Sequence, residues 1–130
     1  MKPYDILTQS KSFAVVGMNP DPDKYAYKIY QLLKEKGKTV YGLNPKYDEI
    51  EHERIYKDLD DLNKDLDVVV FVVNPKIGIH MLASIKERGI KHLWMQPGTM
   101  DEALIAKADE LGLELIDACV LAVYAINEPK

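Results

Sequence analysis

Short apolar runs alternate with stretches of helical spacing along the whole chain. Phe13–Val16 is an apolar run stopped by Gly17, and reads as a strand buried on both faces. A loop holding Pro20 and Pro22 follows. Tyr25, Ile29, Leu32, Leu33 and Lys36 then keep helical spacing as far as Gly37, with Asp23 as the candidate N-cap. Thr39–Leu43 reads as a second strand, closed by Asn44-Pro45-Lys46. Residues 47–53 read as a polar loop, Arg54–Tyr56 as at most a short edge strand, and Leu59 with Leu62 as a weak helical turn. Val68–Val73 is apolar without interruption, the pattern of a central strand.

Asn74-Pro75 fits an N-cap followed by proline at the first helical position. The helix it opens carries Met81, Leu82 and Ile85 inward and ends before Gly89. His92–Met95 is the next strand, stopped by Gln96-Pro97-Gly98. Thr99-Met100-Asp101-Glu102 has the form of a capping box. It opens a helix with Leu104, Ile105, Ala108 and Leu111, ended by Gly112. Leu113–Ile116 reads as the last strand, and Cys119–Ile126 as an apolar tail that packs on the domain. Met1–Ser10 reads as a lead-in segment.

Strands that alternate with helices make a parallel sheet with helices on both faces, because each crossover is right-handed and must cover the sheet. The expectation is an α/β chain, a single domain over residues 1–130, with a doubly wound, mainly parallel sheet of about five strands. Ligands in such sheets lie outside the carboxyl ends of the strands, where the strand order reverses. Gly17-Met18-Asn19, Asn44-Pro45-Lys46, Asn74-Pro75 and Gln96-Pro97-Gly98 all fall on that rim. A strand, a glycine turn and a helix N-terminus in succession suit an anion.

Composition narrows the ligand. The net charge of −4 argues against a nucleic-acid or anionic-membrane surface, since both need clustered positive charge. The apolar runs are too short to span a bilayer. The N-terminus lacks a signal-peptide core. The single Cys119 excludes an internal disulfide and suits a reducing, cytoplasmic setting. His52, His80 and His92 lack metal-ligand spacing, and no Ser-His-Asp arrangement is legible, so neither a metal nor a catalytic residue is assigned. The acidic stretches Asp48–Glu53 and Asp58–Asp61 read as solvated surface.

A dinucleotide site would show three spaced glycines after the first strand and an acid near the end of the second. Only Gly17 is present, and the second strand ends in Asn44-Pro45-Lys46. A lysine there favours a phosphate on the ribose. That leaves NADP, with its 2′-phosphate, or coenzyme A, with its 3′-phosphate.

The chain resembles the single-domain CoA-binding proteins, related to the CoA-binding domain of the succinyl-CoA synthetase alpha subunit and of the ADP-forming acyl-CoA synthetases. The likeness runs from about Ser12 to Cys119. It rests on Val16-Gly17 with Pro22-Asp23-Lys24 and Tyr27, on Asn44-Pro45-Lys46-Tyr47, and on Ile55-Tyr56 with Leu59. Asp67-Val68-Val69 with Pro75, Trp94-Met95-Gln96 with Gly98, and Asp117 with Cys119 complete it. The order and spacing of these pieces carry the resemblance. Many such proteins have serine where Ala26 stands, arginines in place of Val73-Asn74, and arginine in place of Ala118.

The resemblance implies a Rossmann-like domain that holds CoA at the strand ends. Gly17, Met18 and Asn19 would lie along the diphosphate, with Lys24 and Lys28 as nearby cations. Asn44, Pro45 and Lys46 would meet the ribose and its 3′-phosphate. Asn74 and Pro75 would border the adenine, and Gln96 and Gly98 the pantetheine. Cys119 would lie where the arm's thiol arrives.

The reading is a cytoplasmic protein that binds coenzyme A or an acyl-CoA as a carrier, sensor or regulator, without chemistry of its own. Its partner is a small molecule, with no nucleic acid and no membrane. Two alternatives stand beside it: an NADP-type redox protein, and the CoA-binding component of a split acyl-CoA synthetase.

Overall fold

The structure is a computed structural model and describes residues 1–128. Its elements in chain order are helix α1 (Pro3–Gln9), strand β1 (Ser12–Val16), helix α2 (Tyr25–Glu35) and strand β2 (Thr39–Leu43). Strands β3 (Glu49–Ile50) and β4 (Glu53–Tyr56) follow, then a single 3-10 turn, Leu59–Asp61. Next come β5 (Val68–Phe71), α3 (Pro75–Gly78), a second 3-10 turn over Ile79–Met81, and α4 (Leu82–Glu87). The chain continues through β6 (His92–Met95), α5 (Glu102–Glu110), β7 (Leu115–Asp117) and α6 (Val120–Asn127).

The strands form one seven-stranded sheet in the order β3-β4-β2-β1-β5-β6-β7. All neighbours pair in parallel except β3, which turns back on β4. From β1 the chain first moves toward β2, then returns to β5 on the other side of β1. With right-handed crossovers, opposite directions of travel place the connecting helices on opposite faces. The reversal lies between β1 and β5.

Side chains alternate across the sheet with a period of two. Phe13, Val15, Val68, Val70 and Trp94 point to one face, where α1, α2 and α6 contribute Leu7, Ile29, Leu33 and Val120. Ala14, Val16, Val69, Phe71 and Met95 point to the other, against Leu59, Leu62, Leu82, Ile85 and Leu104. The doubly wound architecture is as the apolar pattern requires.

Several local expectations are corrected. The sheet has seven strands rather than about five, because the short strands β4 and β3 extend it at one edge. Residues 3–9 are a helix that packs Ile6 and Leu7 inward, not a mere lead-in. The loop at 47–53 contains β3; the hairpin turns through Glu51 and His52 at φ 50° and 68°, the left-handed pair that a tight hairpin needs. Lys24, not Asp23, is the N-cap of α2, and it supplies no side-chain cap. The capping box is not formed: Asp101 caps α5 by accepting from Leu104 N (2.8 Å), while Thr99 Oγ1 donates to Gln96 O (2.7 Å). In that helix Leu104 and Ala108 are buried and Ile105 is exposed. The central strand stops at Phe71, and the last strand runs over Leu115–Asp117. The tail is α6, which buries Val120 and Tyr124 but leaves Ile126 exposed.

At the amino ends of the strands the chain closes on itself. Asp67 Oδ2 accepts from Lys11 N (2.8 Å) and Ser12 N (3.2 Å), and Asp67 N donates to Ser12 Oγ (3.0 Å). The Lys11 amide, more than any other group, holds the Asp67 carboxyl below its ordinary range. Lys38 Nζ donates to the carbonyls of Thr8 and Ser10, at 3.0 and 2.7 Å. Tyr4 and Lys36 both donate to Glu128, tying α1 and α2 to the end of α6. Among the described residues no helix is long and apolar enough to cross a membrane.

Candidate functional site

The floor of the opposite rim is set by one amide. Asn44 N donates to Tyr56 O (2.9 Å), its Nδ2 to Met18 O (2.9 Å), and its Oδ1 accepts from Lys46 N (2.9 Å). Asn44 thus fastens the ends of β1, β2 and β4 together and orients Lys46. Gly17 sits beside it at φ 99°, in the left-handed region. A Cβ there would lie 2.6 Å from Val72 O and 2.7 Å from a Val73 methyl, so only glycine lets β1 turn this close to β5.

Above this floor lies a cleft of about 610 Å³, at the reversal point of the sheet. One end is the turn after β2, with Pro45 and Lys46. One wall is the segment after β4, from Lys57 to Asp60. The facing wall is Val73 and the outer face of α3 and its continuation, with Lys76, Ile77, His80, Met81 and Ser84. Ile77 is 58% exposed, a large apolar side chain left open inside a concave surface.

Three lysines from three elements line this cleft in a chain of net charge −4. Lys57 Nζ pairs with Asp48 Oδ1 at 3.0 Å. Among the described residues Lys46 and Lys76 have no ion-pair partner. Asn74 aims Lys76 by capping α3: its Oδ1 accepts from Lys76 N at 2.9 Å. Gly78 lets α3 lie against β5, since a Cβ there would come within 2.9 Å of the Phe71 ring.

Of the residues singled out from the sequence, Gly17, Asn44, Pro45 and Lys46 line the cleft. Asn74 and Pro75 stand at its edge, where they start α3. Met18 does not line it. Its side chain is buried over Gly42, on the side of a smaller hollow of about 240 Å³ between α2 and the β3–β4 hairpin. The N–H groups of Gly17 and Met18 both donate to Leu43 O, at 2.8 and 3.0 Å, so these amides serve the sheet. Asn19 Oδ1 accepts from Asp21 N (2.8 Å) and shapes the loop. Lys24 and Lys28 are exposed on the first turns of α2.

Gln96, Gly98 and Cys119 form a separate group at the ends of β6 and β7. Gln96 is 3% exposed, and its Oε1 accepts from Val120 N (2.7 Å), pinning the start of α6. Cys119 is the half-buried N-cap of that helix. Gly98 turns at φ 87° with open space where a Cβ would stand.

The cleft also uses residues that the sequence reading passed over. Lys76, His80 and Ser84 are spaced four apart on one helical face, a legible signal. Asp58 and Asp60 read as solvated surface, because nothing in the sequence says that the turn after β4 folds over the strand ends. Among the described residues no group of three or more His, Cys, Asp and Glu side chains has the placement to hold a metal ion.

A family model described as CoA binding domain matches residues 11–125. The chain belongs to this CoA-binding family. It is 33% identical over 85 residues to an ADP-forming acetate–CoA ligase of Methanocaldococcus jannaschii, covering 65% of this chain and 12% of that enzyme. The family member thus spans about an eighth of that curated relative. It is 25% identical over 129 residues to the uncharacterized protein YneT of Bacillus subtilis, with 95% and 93% of the two chains covered. Among solved structures, a hypothetical protein from Pyrococcus horikoshii matches with a TM-score of 0.86 and 31% identity, over 97% of this chain and 92% of that one. The Rossmann-like α/β fold and the membership of the CoA-binding family agree with the resemblance read from the motifs.

Proposed function

We propose that this protein binds coenzyme A or an acyl-CoA at the carboxyl ends of its strands, as a carrier, sensor or regulator in the cytoplasm. The observation that carries the reading is the cleft at the β1/β5 reversal, floored by Gly17 and Asn44 and supplied with unpaired lysines. A phosphorylated nucleotide needs concave apolar walls and cations without competing partners, and this cleft has both.

In this reading Lys46 takes the 3′-phosphate, with Asn44 and Pro45 holding the turn that presents it. Asn74 and Pro75 start the helix whose outer face walls the base. The diphosphate lies over Gly17 and the loop through Met18 and Asn19. Since the Gly17 and Met18 amides are already bonded, charge for the diphosphate comes from Lys24, Lys28 and the uncapped N-terminus of α2. The pantetheine arm then runs toward Gly98 and Cys119, and Gln96 acts by fixing the start of α6.

The likeness to an acetate–CoA ligase supports a second reading, in which the chain is the CoA-binding component of such a ligase. Co-purification with a ligase subunit would favour it.

The test is thermal melting with ligand. A ligand that binds only the folded state raises the melting temperature by mass action. Millimolar CoA is expected to raise it clearly, and more than NAD or NADP. Equal or greater stabilisation by NADP would overturn the assignment.

A further inference from the structure

The cleft is polarised along its length. From Lys76 to Ser84 the right-handed helical chain is continuous, so these side chains lie about 12 Å apart along one face. Lys76 stands at the start of α3, close to the strand ends, and lines the same cleft as Lys46. At the far end Ser84 Oγ donates to Asp60 Oδ1 at 3.0 Å, which ties the turn after β4 to α4 across the cleft. The two walls therefore meet at a carboxylate. Between the two ends the lining is His80 with the apolar Ile77, Met81 and Leu59.

A cleft with cations at one end and a carboxylate at the other does not suit a ligand that is anionic throughout. It suits a nucleotide whose base presents a hydrogen-bond donor. Ser84 occupies one oxygen of Asp60 and leaves Oδ2 to accept. An ionised carboxylate only accepts. The exocyclic 6-amino group of adenine is a donor; unsubstituted purine has no donor on that edge.

We infer that Asp60, held in place by Ser84, reads the 6-amino group of the base and makes the cleft selective for amino-purine nucleotides. This rests on the reading of the cleft as a CoA site. Asp60 is exposed and does not cap the turn it belongs to, a role that falls to Asp58. Arg88 holds the same turn through the carbonyls of Leu59 and Leu62, so substitution of Asp60 leaves the fold intact.

The experiment measures binding of CoA and of its purine analogue, in which hydrogen replaces the 6-amino group, by calorimetry. The wild-type protein is expected to prefer CoA by about ten-fold or more, the loss when a charge-assisted bond has no donor. Asp60→Ala should bring the ratio close to one while leaving the preference for CoA over dephospho-CoA unchanged. Ser84→Ala should lower the ratio partway. Wild-type protein that binds both compounds equally, or an Asp60→Ala variant that keeps the preference, overturns the inference and leaves the CoA reading standing. Failure of the wild type to bind CoA at all overturns that reading, and this inference with it.

Discussion

At the amino ends of β1 and β5, Asp67 and Lys38 each find backbone partners, and Lys36 finds Glu128. At the carboxyl ends, Lys46 and Lys76 face a cleft without an ion-pair partner among the described residues. Both ends are made of the same strands. The difference lies in what the connecting loops bring to them. The amino-end groups satisfy one another and so stabilise the fold. The carboxyl-end groups are presented by caps, Asn44 for Lys46 and Asn74 for Lys76, that spend their own hydrogen bonds on aiming a neighbour. Folding is closed at one end, and chemistry is left open at the other.

The largest effect tests where the two roles meet. Gly17→Ala should destabilise the protein by about 3 kcal/mol, since a left-handed residue would gain a Cβ that strikes the backbone of Val72. Denaturant melts check this. A near-neutral result would mean that β1 and β5 separate easily and that the cleft floor is soft.

Next comes the closed end. Asp67→Ala leaves the Lys11 and Ser12 amides without their acceptor, and should cost about 2 kcal/mol while leaving CoA affinity unchanged. The acid response follows from the same contacts. Because Asp67 is held below its ordinary range, its contribution is fully present above the unfolded carboxylate pKa. It is lost as pH falls through the lowered folded value, below about pH 4. Melting curves taken down through that range should fall more steeply for wild type than for Asp67→Ala.

The open end should behave in the opposite way. Lys46→Ala is expected to change stability by less than about 0.5 kcal/mol. Its CoA affinity should drop about ten-fold, with a much smaller loss for dephospho-CoA, as befits one charge-assisted contact to the 3′-phosphate. Equal losses for both ligands would remove Lys46 from that phosphate.

The sheet was legible because its signals are periodic. Uninterrupted apolar runs such as Phe13–Val16 and Val68–Phe71 have the pattern of central strands, and helical spacing between them fits the doubly wound form. The cleft's floor was legible too, because glycine and Asn-Pro turns announce strand ends. What stayed hidden depended on long-range contact. The helix at Pro3–Gln9 exists because Ile6 and Leu7 find the face also covered by α6. Gln96 reads as a rim amide, yet it is committed to Val120 N, 24 residues away. Lys57 and Asp60 join the cleft only because the turn after β4 folds onto α4, a contact held by Arg88 through the carbonyls of Leu59 and Leu62. No local pattern encodes that.

The most direct measurement is a titration of isotope-labelled protein with CoA, followed amide by amide in solution. The account predicts that the resonances of Gly17, Asn44, Lys46 and Lys76 shift together and saturably, while those of Lys11, Ser12 and Asp67 stay in place. Shifts confined to the amino end, or spread evenly over both ends, would contradict it.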